Sequence, residues 1–390
     1  DPTIRKSVLI FFIFINYFYT YYDIKIQMVS NNKTIEVKDN CKIYIMSPAN
    51  VATGGPEALH QLACVLQNSL KLSTFIYYIP NSEENPVHKN YEMYQIKFVK
   101  EIEDNSKNIL VIPEYFEFLN FAKKFKNIQK VVWWLSVDNY FGYRFRLKNF
   151  KVIRSIIKIP FNLINFFNVF TLNFFGLYTI QDYLKFVYGF SNLTKHKELS
   201  QGKLHLAQSK YALDFLGNKV KHTGILSDYI RDDFFDKVNF KKNGKENCIC
   251  YNPLKSNSFM KKIVNKNKKI KFIPLIGLTK NEVINSLKKS KIYFDIGSHP
   301  GKDRMPREAA LLGNCIITNR RGSAGNPEDV SIPEDFKFEE NFFNLNKINN
   351  KIISIFDNYE EEYEKFSSYL DKILLEKKTF INQAQSIFGK

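Results

Sequence analysis

The chain has 390 residues, 44% of them hydrophobic and 25% charged, which is apolar material for about two globular domains. A net charge of +18 points to an anionic partner, whether nucleic acid, an acidic membrane surface or a phosphorylated substrate, although lysine and asparagine abound throughout and part of the excess is compositional bias. Five cysteines (Cys41, Cys64, Cys248, Cys250, Cys315) have no metal-ligand spacing, which excludes a cysteine metal site and reads as reduced core residues of a cytosolic protein.

Residues 1–27 stand apart. Arg5-Lys6 precedes an apolar run from Val8 to Tyr22, the pattern of a signal peptide or anchor. At 15 residues, interrupted by Asn16, the run is short for a membrane span, no alanine precedes Ala49 to make a small-residue cleavage site, and the first methionine is Met28. The segment is expected to be either a head foreign to the native domain or a membrane anchor.

The first folded element is a strand over Cys41–Met46, followed by the loop from Ser47 to Gly55 and a helix opened by Pro56, with Leu59, Leu62, Ala63 and Leu66 at helical spacing. Gly54-Gly55 between a first strand and a first helix lets backbone approach a ligand, as in phosphate-binding turns. No third glycine completes a dinucleotide fingerprint, so a nicotinamide cofactor is not expected. Strands follow at Asn108–Ile112 and Lys130–Leu135. The polar residues after the second make Asp138 a candidate site acid or a helix cap, and Trp133 and Trp134 either line a sugar face or fill the core.

Residues 144–190 change character, with arginines and lysines among isoleucines and then an aromatic run from Phe161 to Phe175. That mixture suits the surface of an anionic bilayer; a helical subdomain with its own core and a single-stranded nucleic-acid surface are the alternatives. A strand over Leu204–Ser209 and a helix over Lys210–Leu216 close the first domain, and charged sequence from Asp228 to Glu246 leads to a second run of alternating strands and helices from Cys248. The division expected is 28–240 and 241–390, two doubly wound Rossmann-like α/β domains facing a cleft. Residues from Ile348 to Phe388 read as helices without site chemistry.

The densest signal lies between His299 and Gly313. His299, Lys302, Arg304 and Arg307 share this stretch with Asp303, Glu308 and the turn glycine Gly301, after a strand at Ile292–Ile296 and before a short helix at Arg307–Leu312 stopped by Gly313 and a strand at Cys315–Thr318. In a parallel sheet such a loop meets a helix's positive end, where phosphate binds, although an ion-paired surface loop would read the same way.

From Cys41 to Lys390 the chain resembles the GT-B glycosyltransferases, specifically the large retaining group that includes many bacterial polysaccharide and lipopolysaccharide enzymes. The resemblance is carried by Phe272 to Gly277, Glu282-Val283, Leu287, Lys291 to Ile296 and Glu308 to Ile317. It implies that Glu308 holds the nucleotide ribose, that Gly54 and Gly55 lie beside the donor diphosphate, and that Lys255 faces the same diphosphate. The group's first glutamate, eight residues earlier, is replaced here by Pro300 and followed by Gly301, Lys302 and Asp303. Asp303 or His299 would then have to supply the sugar-facing group, which leaves the donor sugar and the stereochemical outcome open.

Departure of a nucleoside diphosphate builds negative charge, which Lys255, Lys302, Arg304, Arg307 and the Gly54–Gly55 amides would stabilise without a metal or other cofactor. Asp138 and His60 are the candidate bases. The expected enzyme transfers sugar from a nucleotide-sugar donor to a glycan or lipid-linked acceptor. It would work in the cytoplasm or at the inner face of the plasma membrane, touching anionic lipid but no nucleic acid. A nucleotide-sugar epimerase or phosphorylase on the same scaffold, and a non-enzymatic basic module binding membrane or nucleic acid, are the competing classes.

Overall fold

The computed structural model describes residues 35–144, 197, 199–238, 244–255, 258–341 and 343–389. The expected head at 1–27 and all but the first residue of the segment at 144–190 lie outside them.

Six parallel strands make the first sheet: β1 (Lys42–Pro48), β2 (Ser73–Ile79), β3 (Ile109–Pro113), β4 (Gln129–Trp134), β5 (Leu204–Ala207) and β6 (Thr223–Ile225), in the order β2-β1-β3-β4-β5-β6. The runs forming β3 and β4 are buried at every position, as strands covered by helices on both faces must be. Helices α1 (Gly54–Asn68), α2 (Phe116–Phe121), α3 (Val137–Arg144) and α4 (Lys210–Leu216) cross between strands, and the short α5 (Asp232–Phe235) follows the sheet. β6 was not expected. It is three half-buried residues including Gly224, too short and too polar to announce itself.

The second sheet has order β11-β10-β9-β7-β8 and is also parallel. Its strands are β7 (Glu246–Tyr251), β8 (Lys271–Pro274), β9 (Ser290–Asp295), β10 (Cys315–Asn319) and β11 (Lys337–Phe338). They are joined through α6 (Ser258–Lys266), α7 (Lys280–Lys289) and α8 (Arg304–Leu311) and followed by α9 (Asn344–Asp357), α10 (Tyr359–Glu364) and α11 (Ser367–Phe388). α7 carries the full capping box, Thr279 and Glu282 satisfying each other's backbone amides. α8 starts at Arg304, three residues earlier than its apolar pattern suggested, and Gly313 ends it at φ +84°, a conformation open to glycine at little cost.

α11 ties the two halves together. Tyr369 and Ile373 belong to the apolar cluster of the second sheet, whereas Phe380, Ala384 and Phe388 belong to that of the first. Phe380 packs on Trp133 and Tyr229, with ring centroids 6.4 and 5.3 Å away, and full burial of such a side chain is worth about 2–3 kcal/mol. Both tryptophans are fully buried and donate their indole N–H inward, Trp133 to the Leu226 carbonyl and Trp134 to His205 Nδ1, so neither lines a sugar face. The five cysteines are free thiols, four of them buried. Among the described residues no helix is long and apolar enough to cross a membrane.

In each sheet the chain reverses direction of growth once, between β1 and β3 and between β7 and β9. The loops after those strands diverge there and leave the crevice where doubly wound sheets bind ligands.

Candidate functional site

At the crevice of the second sheet the loop after β7 supplies Lys255, and β9 with its loop supplies Asp295, His299 and Asp303. Lys255 Nζ lies 2.7 Å and His299 Nδ1 2.9 Å from the same oxygen, Asp303 Oδ2. His299 Nε2 is 3.8 Å from Asp295 Oδ1 and 3.3 Å from Thr318 Oγ1. Burial works against charge on Lys255 and His299, yet the two carboxylates outweigh it and raise both pKa values. Asp303 is held down to about 2, burial being overcome by Lys255 and His299. The cluster therefore gathers two acids, an ammonium and an imidazole around one shared carboxylate oxygen. Asp295, His299 and Asp303 bring ligand atoms within 4.8 Å of one another, as a metal site would, but the protein's own ammonium already sits on the shared Asp303 oxygen.

The sequence reading offered Lys255 to a diphosphate and Asp303 or His299 to a sugar. In this arrangement all three are engaged with one another, and His299 is 1% exposed.

The next residues press against the first sheet. Pro300 accepts the Val137 amide at 3.2 Å, and Gly301 packs so closely that a Cβ there would stand 2.1 Å from the Leu135 carbonyl oxygen. Gly301 is needed for contact between the halves, a reason beyond the turn it was expected to make. Lys302 binds Glu376 Oε1 at 2.8 Å and Ser227 Oγ at 3.0 Å. Arg304 reaches Glu57 Oε2 at 3.2 Å and Gln61 Oε1 at 3.1 Å. Arg307 is 1% exposed, with bonds of 2.7 Å to Glu376 and 2.9–3.0 Å to both oxygens of Asp228. Burial would lower the Arg307 pKa, but the two acids raise it; Asp228 is depressed in turn, with Arg307 foremost among the cations that overcome its burial.

The four cations expected at a diphosphate are all paired with the protein's own carboxylates in this arrangement. Arg307 is a buried structural clamp, and Lys302 and Arg304 join it in holding the second sheet, α1 and α11 together. The partners Glu57, Asp228 and Glu376 were missed, and α11, expected to lack site chemistry, supplies Glu376.

At the crevice of the first sheet, α1 begins at Gly54 with no side-chain cap on its amides, and a Cβ on either Gly54 or Gly55 would meet nothing closer than 3.6 Å. The glycines leave room and free N–H groups where the sequence reading put a ligand. His60 turns inward from the same helix. Its Nδ1 is 2.7 Å from the Pro56 carbonyl and its Nε2 2.7 Å from the Tyr78 hydroxyl, and burial lowers its pKa to about 4. It is a core histidine, 1% exposed, with both ring nitrogens engaged, rather than a group open to an acceptor. Asp138, in the first turn of α3, is 5% exposed and accepts the Tyr211 hydroxyl at 2.9 Å; Ser136 Oγ accepts the Asn139 amide of that turn, so Asp138 is neither a free acid nor the cap.

Glu114, which the sequence did not single out, directly follows β3. It accepts the Leu135 amide at 3.0 Å, and burial pushes its pKa up to about 8 against the pull of the Leu135 and Ser136 amides.

Glu308 differs from the rest. It lies half-buried on α8, and its carboxylate makes no hydrogen bond or ion pair among the described residues. Burial raises its pKa, with Arg304, Lys280 and Arg307 pulling it back and Glu57 of α1 adding to the rise. The start of α8 meets α1 through Arg304, which binds Glu57 at 3.2 Å.

No protein-family model and no curated protein matches the chain. Solved structures do. OtsA, a trehalose-6-phosphate synthase, superposes with a TM-score of 0.51 at 9% identity, over 88% of this chain and 99% of that one. A structure described as trehalose-6-phosphate from E. coli bound with UDP-2-fluoro glucose gives 0.50 at 7% identity, over 88% and 99%. TarM gives 0.43 at 14% identity over 74% of this chain, which spans 56% of TarM's length. At such identities the likeness is one of fold. The chain has the GT-B fold, two doubly wound parallel domains as the resemblance implied.

Proposed function

We propose that the protein is a retaining glycosyltransferase moving a sugar from a nucleotide-sugar donor to a glycan or lipid-linked acceptor. Residues 241–390 would bind the donor and 28–240 the acceptor. The observation that carries this reading is the pairing, on the GT-B fold, of an unengaged half-buried carboxylate at Glu308 with the uncapped glycine start of α1. A ribose presents two adjacent hydroxyls to such a carboxylate, and a diphosphate accepts from amides at a helix's positive end.

Donor entry then exchanges carboxylates for phosphate oxygens around the cations. Lys255, Lys302 and Arg304 leave Asp303, Glu376 and Glu57, an exchange of like for like. Releasing Lys255 leaves Asp303, the N-cap of the helix that carries Glu308, held by His299 alone, in place of the glutamate that Pro300 replaces. A surface-polysaccharide role at the inner face of a bacterial membrane is supported by the net charge of +18 and the basic, aromatic composition of 144–190.

The test is a panel of nucleotide sugars followed by melting temperature, since a ligand of the folded state raises it. Glu308→Gln should weaken donor binding by about ten- to a hundredfold, the worth of roughly 1–3 kcal/mol of hydrogen bonds to a charged group. Unchanged donor binding in that variant would remove Glu308 from the site. Donor incubated without acceptor should show slow hydrolysis; epimerised donor would mark an epimerase, and strongly salt-dependent polyanion binding indifferent to Glu308→Ala would mark the non-enzymatic module.

A further inference from the structure

The His299 side chain is closed to solvent at 1% exposure, whereas those of Lys255 and Asp303 are 29% and 23% exposed. A ligand can therefore touch those two and not the imidazole. The backbone of His299 is fixed by the loop after β10. Ser323 donates its amide to the His299 carbonyl at 2.9 Å, and Gly322, at φ +55°, runs so close that a Cβ would stand 1.9 Å from that carbonyl oxygen.

The ring nitrogens face acceptors. Nδ1 meets Asp303 Oδ2 at 2.9 Å. Nε2 meets the Asp295 carbonyl oxygen at 3.3 Å, Thr318 Oγ1 at 3.3 Å and Asp295 Oδ1 at 3.8 Å. Thr318 donates its proton to the same Asp295 carbonyl at 3.0 Å and has none left for the ring, and Asp295 Oδ1 is buried with no hydrogen bond among the described residues. Either neutral tautomer would turn a lone pair toward oxygens that do not donate, so the doubly protonated ring is the form that matches these neighbours.

Burial opposes the second proton, Asp295 and Asp303 favour it, and Lys255, 2.7 Å from the shared Asp303 oxygen, opposes it. Tyr293 of β9, 3.4 Å from Asp295 Oδ2, and Tyr369 of α11 also face the two acids; burial raises both, so neither ionises near neutral pH.

We propose that His299 is a positioning residue of the donor site, whose doubly protonated ring keeps Asp303 ionised and in place after Lys255 has moved to the diphosphate, and that donor binding strengthens the ring's hold on that proton. The inference rests on the donor reading above. A diphosphate on Lys255 neutralises the cation that opposes the proton and adds negative charge nearby, so both changes act in one direction. Donor affinity must then fall as pH rises through the window where the empty site has lost the proton and the occupied site keeps it.

Nitrogen NMR of the full chain, labelled at histidine, follows the ring through a pH titration, with His299 identified by the signal lost in His299→Gln. If that variant fails to fold, changing the other five histidines one at a time assigns the remaining signal. The midpoint should lie above the ordinary 6.5 in the free protein, rise further with the UDP-, GDP- or TDP-linked hexose that the panel selects, and rise without donor in Lys255→Met. Calorimetry should show donor affinity falling above that midpoint by up to about tenfold per pH unit, the limit for one proton. A midpoint at or below 6.5, a midpoint unmoved by donor or by Lys255→Met, or donor affinity indifferent to pH would each overturn this inference alone. A chain that binds none of the nucleotide sugars at any pH would sink the donor reading and the inference with it.

Discussion

Replacing Arg307 by leucine separates a clamp from a ligand contact. In the native protein its guanidinium is bonded to Asp228, which is 1% exposed, and to Glu376, which is 8% exposed. Leucine fills most of the space but leaves both carboxylates in the interior, and breaking a buried pair in this way costs about 3–5 kcal/mol. Two contacts soften the loss, since Lys302 still holds Glu376 at 2.8 Å and Arg304 lies 3.5 Å from Asp228. The lower end, about 3 kcal/mol, is therefore expected. Urea unfolding at pH 7 measures it through a lower midpoint. The pH dependence has a definite sign. The folded pKa of Asp228 is depressed, so its contribution is complete above the unfolded carboxylate value and lost as pH falls through the folded one. The difference between wild type and Arg307→Leu should thus persist at neutral pH and shrink only in strong acid. A cost below about 1 kcal/mol together with a large loss of donor affinity would refute the clamp and return Arg307 to the diphosphate.

Two further changes probe the contact between the halves. Gly301→Ala sets a methyl group 2.1 Å from the Leu135 carbonyl oxygen, so the loop must withdraw from the first sheet; about 1–3 kcal/mol of destabilisation and a larger radius of gyration by X-ray scattering are expected, and an unaltered melting curve would show that the contact does not hold in solution. Glu114 has a folded pKa near 8 against an ordinary 4.5, so the folded state binds the extra proton between those values and stability falls as pH rises through that window. Glu114→Gln should flatten that part of the stability profile, and an unchanged slope would exclude Glu114 as its source.

The electrostatics of the cleft follow from the same contacts. Lys255, Lys302, Arg304 and Arg307 each meet a carboxylate within 3.2 Å, so little of the +18 charge is free at the crevice. Donor recognition on this scaffold would be an exchange of anions around positioned cations, and its salt dependence correspondingly shallow.

Much of the fold was legible because it depends on neighbours in sequence. Apolar runs such as Ile109–Pro113 and Cys315–Asn319 mark buried strands by composition alone, Gly313 ends a helix through its own backbone freedom, and the order of strands and helices implies two doubly wound domains. The Gly54–Gly55 start of α1 was likewise read from local context, whereas Glu308 was singled out through the family resemblance. The ownership of the charges was not. Arg307 and Glu376 are 69 residues apart, Arg307 and Asp228 79, and Arg304 and Gln61 243. The burial of His60 and the tryptophans, the need for Gly301 and the reach of α11 into both cores also arise only once distant segments pack. Periodicity is a property of one segment against water, whereas an ion pair is settled by separation and desolvation, and both of those belong to the assembled structure.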